Sequence, residues 1–238
     1  MTRLYTTWAR VYHEIYQSIF NYRKDFLRFQ SILEKYRSKN LLELGCGSGN
    51  LAPYFLSAGY QYTGLDNARA MLAIAREVAP EARFIQGDMR RFSVRRKADA
   101  VLIAGRSFTY MTTNQDVLAA LKSIHKALKP GGILIFDNFD AARIFTSFKS
   151  RAHEDVRRGE LRCIRKSELS PNLKTGWTWN WDATYLIDDG RRKQKFRDRS
   201  VLRAFTADEI RLFLVLAGFE PLRISKQAAT LLAVARKI

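Results

Sequence analysis

The chain has 238 residues, 47% apolar and 27% charged, enough for one large domain or an ordinary domain with an appendage; disordered and fibrous classes are excluded. Two cysteines, Cys46 and Cys163, cannot build a disulfide framework or a cysteine zinc site, and the longest apolar run near the C-terminus, Leu212 to Phe219, is too short to span a membrane. The charge is the unusual figure: 41 Lys and Arg against 23 Asp and Glu give +18, a field that attracts nucleic acid, anionic membrane surface or a phosphorylated substrate.

That charge is spread out. Residues 1–40 carry +5, 41–149 carry +5, 150–203 carry +6 and 204–238 carry +2, so there is no basic tail. Two clusters stand out, Arg90, Arg91, Arg95, Arg96 and Lys97, and the stretch Arg191 to Arg203; a solvated surface is the simpler reading of both. With no apolar leader after Met1, the expectation is a cytoplasmic protein with no membrane partner and no metal.

Residues 8–36 predict one helix, with Val11, Ile15 and Ile19 spaced by four and Tyr12, Tyr16 and Phe20 on the adjacent stripe. From Leu41 to Asp140 short apolar runs alternate with amphipathic segments. The runs are Leu41 to Leu44, Tyr62 to Leu65, Arg83 to Ile85, Ala100 to Ala104 and Ile133 to Phe136; helical stretches such as Ala68 to Glu77 and Gln115 to Leu128 lie between. This alternation predicts a parallel sheet covered on both faces. Lys129-Pro130-Gly131-Gly132 stops a helix and feeds the next strand.

Beyond residue 141 the period changes. Glu160 to Leu169, Thr175 to Ile187 and Lys193 to Ala204 read as three antiparallel strands, with Asp188-Asp189-Gly190 as a turn. Thr206-Ala207-Asp208-Glu209 is a capping box, Phe205 and Ile210 a hydrophobic staple, and Gly218 a helix stop. Pro221 to Ser225 and Thr230 to Arg236 finish as strands. The expected fold is α/β: a domain of residues 1–140 and 204–238, with an antiparallel cap of residues 141–203 inserted before the last helix.

An open parallel sheet binds ligands at the carboxyl ends of its strands. The first such end is Leu42-Glu43-Leu44-Gly45-Cys46-Gly47-Ser48-Gly49, whose glycines let the backbone approach a ligand. The spacing is G-x-G-x-G rather than the dinucleotide G-x-G-x-x-G, and Glu43 would repel a pyrophosphate but favour a ligand bearing ammonium and sulfonium charge. Gly64-Leu65-Asp66 ends the second strand, where a carboxylate can accept two hydrogen bonds from a ribose diol. Gln86-Gly87-Asp88-Met89-Arg90 ends the third, where a carboxylate beside an apolar side chain suits adenine.

These three motifs, followed by Leu128-Lys129-Pro130-Gly131-Gly132, resemble the successive motifs of class I S-adenosylmethionine-dependent methyltransferases. The resemblance covers about residues 5–140, with a further likeness from Phe205 to Phe219. It implies a Rossmann-like, seven-stranded, mostly parallel sheet with one reversed hairpin. It implies S-adenosylmethionine held by Gly45, Gly47, Asp66, Asp88 and Met89, with Tyr16, Glu43, Cys46, Asn67, Met71 and Ala104 alongside. Asp88-Met89-Arg90 followed by Ser107-x-x-Tyr110 is most similar to small-molecule N-methyltransferases, including those acting on nucleotide-linked aminosugars. Tyr110 and Arg106 are then the acceptor-site candidates, Tyr110 orienting an amine and Arg106 holding an acceptor phosphate or carboxylate.

Other readings compete at particular residues. Tyr12, Tyr16 and Tyr22 fit ordinary packing, the alternative being a lid whose rings face the methyl sulfonium. His13 is the best histidine candidate for catalysis, whereas His125 fits surface or packing. Cys46 fills a position that needs a small residue. Trp177, Trp179 and Trp181 share one strand face and are expected to pack against the sheet or a partner subunit, a homodimer being compatible with that; the alternative is that they line a substrate cleft. A nicotinamide oxidoreductase is disfavoured by the glycine spacing. An RNA methyltransferase exploiting the +18 charge is the runner-up, although the fourth strand lacks the Asn/Asp-Pro-Pro-Tyr/Phe stretch that stacks a flipped base, which disfavours sequence-specific nucleic acid. A sensor of the cofactor without turnover is the third option.

Overall fold

The computed structural model describes residues 2–238. A 3-10 turn (Arg3–Tyr5) leads into α1 (Ala9–Ile19) and α2 (Tyr22–Lys35). The single helix expected over 8–36 is thus two. Phe20 is extended (φ −103°, ψ 136°), and the Asn21 side chain accepts the Lys24 N–H at 2.9 Å, so an asparagine cap starts a second helix where the apolar period runs on unbroken.

The sheet follows the expected runs: β1 (Asn40–Leu44), β2 (Gln61–Asp66), β3 (Arg83–Gln86), β4 (Ala98–Ile103) and β5 (Leu128–Phe139), connected by α3 (Ala52–Ser57), α4 (Arg69–Val78) and α5 (Asn114–Ala127). A short α6 (Ala141–Thr146) precedes the cap strands β6 (Arg151–Arg158), β7 (Leu161–Pro171), β8 (Trp177–Asp188) and β9 (Lys193–Ala204). The chain returns through α7 (Ala207–Leu216), β10 (Phe219–Gln227) and β11 (Thr230–Lys237). The seven strands lie in the order β10-β11-β5-β4-β1-β2-β3, parallel from β5 to β3, with β11 antiparallel to β5 and to β10.

Alternation along each strand feeds two cores. Leu42, Leu44, Val101, Ile103, Leu134 and Phe136 pack against α5 and α7; Leu41, Leu102, Ile133 and Ile135 pack against Phe29 and Leu33 of α2 and Phe55 of α3. Both faces of the sheet are therefore covered, as buried parallel strands require. The capping box of α7 is formed in both directions: Thr206 Oγ1 accepts the Glu209 N–H at 3.1 Å and Glu209 Oε2 accepts the Thr206 N–H at 2.8 Å. Thr206→Ala is expected to cost about 1 kcal/mol, read as a lower urea midpoint with unchanged slope.

The cap has four antiparallel strands in the order β6-β7-β8-β9, one more than expected. β6 reads Arg-Ala-His-Glu-Asp-Val-Arg-Arg, with no apolar alternation to betray it. The inward face of the sheet, including Cys163, Tyr185 and Phe196, packs beneath Leu4 and Ile15, and Trp8 stacks on Phe196 at 4.5 Å. The three tryptophans divide: Trp179 is buried against Phe139 and Phe145, Trp181 faces a chamber described below, and Trp177 is 38% exposed. Among the described residues, no helix is long and apolar enough to cross a membrane.

Candidate active site

The loop after β1 is pressed between neighbouring strand ends. Gly45 and Cys46 donate their N–H groups to the Leu65 carbonyl at 2.7 and 3.1 Å. Gly45 has φ +69°, and a Cβ there would lie 2.7 Å from Ser107 Cβ, so neither the conformation nor the space tolerates a side chain. Beside this loop lies a cavity of about 370 Å³. Its wall takes in Gly45, Gly47, Asp66, Asn67, Met71, Asp88 and Met89 from the sequence expectation, together with Leu65, Arg90 and Met111.

Asp66 is fixed by two backbone donors, Gly47 N–H to Oδ2 at 2.9 Å and Ala68 N–H to Oδ1 at 2.8 Å. Each oxygen keeps a second lone pair for a ligand hydroxyl. Burial raises its pKa although those amides pull the other way. Asp88 is treated differently. Arg90 grips it through Nε at 3.0 and 3.1 Å and Nη2 at 2.6 Å, and also reaches Asp116 at 2.9 Å, which holds the Asp88 carboxyl below the usual carboxylate range. Arg90, read from sequence as part of a solvated cluster, is a clamp on the cavity wall.

Four expected cofactor residues lie elsewhere. Glu43 is not part of this cavity's wall: buried on β1, it accepts the Tyr62 hydroxyl at 2.5 Å, and burial pushes its pKa up to about 8. Cys46 is buried with Sγ against Gly64, its thiol pushed up by burial. Ala104 ends β4 and its carbonyl accepts the Ser107 hydroxyl at 3.0 Å, outside the cavity wall. Tyr16 belongs to a second chamber.

That chamber, about 410 Å³, adjoins the first, and Tyr5, Tyr12, Gly105 and Tyr110 line both. Tyr5 and Tyr110 hydroxyls are 2.9 Å apart, and burial pushes Tyr110 up to about 12. Tyr12 stacks on Tyr16 at 4.0 Å. Arg106, in left-handed conformation with φ 63°, donates its N–H to Asp137 at 2.7 Å and holds its guanidinium between the Phe20 and Phe139 rings at 5.5 and 5.1 Å. The cap supplies Glu154, Arg165, Trp181, Tyr185 and Asp198. Arg165 bonds Tyr16 Oη at 3.0 Å, pairs with Glu154 at 2.7 Å and lies 5.0 Å from the Trp181 ring centroid.

Tyr5, Glu154, Arg165 and Asp198 escape the sequence reading. Tyr5 sits on the 3-10 turn whose Arg3 and Leu4 N–H groups are both accepted by the Asp198 carboxylate at 3.0 Å, a link across more than 190 residues that no local spacing announces. For the cap residues, strand alternation gives a signal: Arg165, Tyr185 and Asp198 share the face of Cys163, Ala183 and Phe196. His13 lines neither chamber; its Nδ1 lies 3.0 Å from Ser48 Oγ and steadies the glycine loop. Tyr22, the first residue of α2, packs partly buried against the core, and His125 packs edge-on to Phe219 at 5.3 Å.

The first cavity offers a carboxylate, Asp66, with lone pairs to spare, an apolar wall of Leu65, Met71 and Met89, and glycines that leave the backbone open to a ligand. Residues 41–132 match the family model described as a methyltransferase domain. Those residues are a methyltransferase domain, and the chain is an S-adenosylmethionine-dependent enzyme with a Rossmann-like methyltransferase fold. It is 29% identical over 193 residues to the putative methyltransferase YqeM of Bacillus subtilis, covering 78% of this chain and 75% of that one. It is 28% identical over 182 residues to the dTDP-3-amino-3,4,6-trideoxy-alpha-D-glucopyranose N,N-dimethyltransferase of Streptomyces venezuelae, covering 76% and 75%. The fold is also that of CalS10, an amino pentose methyltransferase from Micromonospora echinaspora, with a TM-score of 0.81, 24% identity and coverage of 96% and 97%.

Proposed function

We propose that the chain methylates an amine of a small, hydroxyl-rich acceptor bearing an anionic group, such as an amino sugar on a phosphate carrier, and that the cap, residues 141–203, closes over that acceptor. The observation that carries this is the wall common to the two chambers: among the described residues it presents Tyr5, Tyr12 and Tyr110 beside Thr2, Gly105 and Ser200, and no histidine or carboxylate. S-adenosylmethionine supplies an already activated methyl group. An amine attacks it once neutral, whereas an oxygen or carbon nucleophile would want a base, and a phenol held near 12 is not one at neutral pH.

The residues then divide the work. Gly45, Gly47, Asp66, Asn67, Asp88 and Met89 hold the cofactor. Tyr110 and Tyr5 orient the acceptor nitrogen through their hydroxyls, and alignment of nucleophile and methyl provides most of the rate. Arg106 and Arg165 offer guanidinium donors to an anionic group, while Glu154 and Asp198 offer acceptors to hydroxyls. Two of the relatives named above, the Streptomyces venezuelae N,N-dimethyltransferase and CalS10, are named for amino-sugar acceptors, which supports the same acceptor class here.

Tyr110→Phe should lower turnover with cofactor affinity nearly unchanged, because the loss falls on acceptor positioning. The measurement is methyl transfer to a panel of nucleotide-linked amino sugars by mass spectrometry, with calorimetry of S-adenosylhomocysteine binding. Loss of cofactor affinity in the variant, or an unaltered rate on a confirmed acceptor, would displace the acceptor from this chamber.

A further inference from the structure

We propose that the rim formed by the amino ends of the parallel strands binds a run of phosphate groups, as carried by a single-stranded nucleic-acid backbone or an inorganic polyphosphate. This rim is at the end of the sheet opposite the active site, which lies at the carboxyl ends. Two adjoining grooves mark it, about 440 and 300 Å³, both lined by Asn40, Gln61 and Arg96.

The cations come from separate segments brought into line by the strand order. Lys129 opens β5, Arg95, Arg96 and Lys97 precede β4, Lys39 precedes β1, and Arg83 opens β3, with the Gln61 amide on the intervening β2. At about 4.8 Å between neighbouring strands, the row from β5 to β3 extends roughly 19 Å. A linear row fits a linear polyanion better than a single compact anion.

Glu81 also lines the smaller groove, but few of the cations are paired with a carboxylate. Lys39, Arg83, Arg95, Arg96 and Lys97 make no ion pair among the described residues; only Lys129 does, with Asp99 at 2.5 Å. Asp99 is otherwise occupied, since its second oxygen accepts the Lys39 and Asn40 N–H groups at 3.0 and 2.8 Å. Partial burial pushes Asp99 up, but Lys129 and the two amides together hold it below the usual carboxylate range. Burial first and the charge of Lys97 second keep Lys237, at the end of β11, below the usual lysine value. On the cap, Arg162 pairs with Asp155, Lys193 with Asp188, and Arg197 and Arg199 share Asp182.

The test uses the full chain, a fluorescent twelve-residue oligouridine read by anisotropy, and inorganic tripolyphosphate as competitor. If four phosphates are neutralised, affinity for the oligonucleotide should fall about 50-fold between 50 and 200 mM salt. R96A with K97A should weaken binding at least ~10-fold at low salt and flatten the salt slope by about 1.4 units. R197A with R199A should change it less than about twofold, because those guanidiniums already hold a carboxylate. Competition by tripolyphosphate identifies a shared phosphate site; binding of tripolyphosphate without the oligonucleotide identifies a free polyphosphate as its occupant. Equal losses in the rim and cap variants would show only a diffuse positive field and overturn the proposal, as would an unaltered affinity in the rim variant. Cofactor affinity and amine methylation should stay at parental values in the rim variant, so the outcome is independent of the acceptor assignment.

Discussion

Asp66→Ala should weaken binding of S-adenosylmethionine and S-adenosylhomocysteine by about 1.5–3 kcal/mol, roughly 10- to 150-fold in Kd. Two effects combine. A ribose diol loses a charged acceptor, and the Gly47 and Ala68 N–H groups lose the carboxylate that fixes the glycine loop against the start of α4. Asp66→Asn separates them, since its amide oxygen can still accept one loop N–H while its charge is gone. Calorimetry on both variants checks the expectation; unchanged affinity in Asp66→Ala would remove the ribose contact from this residue.

The second large effect concerns pH and stability. Burial, and to a lesser degree repulsion by Asp66, raises Glu43 from an ordinary 4.5 to about 8 against the opposing hydrogen bond from Tyr62. A carboxyl with a raised folded-state pKa stabilises the fold fully below its unfolded value. That contribution declines as pH rises from about 4.5 and is lost through about 8, because the unfolded chain ionises first. The span corresponds to about 5 kcal/mol at most. Glu43→Gln keeps the shape without the titration, so its stability should match the parent near pH 5 and exceed it near pH 8.5. Urea unfolding across that range is the measurement, and parallel pH profiles for the two proteins would contradict the buried neutral carboxyl.

Glu43 also shows what a sequence can and cannot convey about a site. Its position after Leu42 and before Leu44 puts it on the face opposite those two leucines, but strand period alone does not say which face bears the cleft. Asp66 and Asp88 were legible because each ends an apolar run of a parallel sheet, where topology opens the crevice whatever the face. The break at Asn21 was hidden because Tyr22, Phe26, Phe29 and Leu33 continue a helical period beyond it. β6 was hidden because an edge strand of charged residues has no alternation to read. Tyr5 depends on Asp198, and a contact made only by tertiary packing leaves no local trace.

The shared tyrosine wall has a thermodynamic consequence. Tyr5, Tyr12 and Tyr110 border both chambers, so whatever moves them to admit one ligand changes the enclosure of the other. Coupling of that kind is reciprocal: if a filled cofactor chamber tightens acceptor binding by some factor, the acceptor tightens the cofactor by the same factor. Asp198 extends the coupling to the cap, since it holds the turn that carries Tyr5. With the acceptor seated as proposed, methyl donor and methyl acceptor meet a single cooperative unit, in which neither affinity is a property of its own chamber alone.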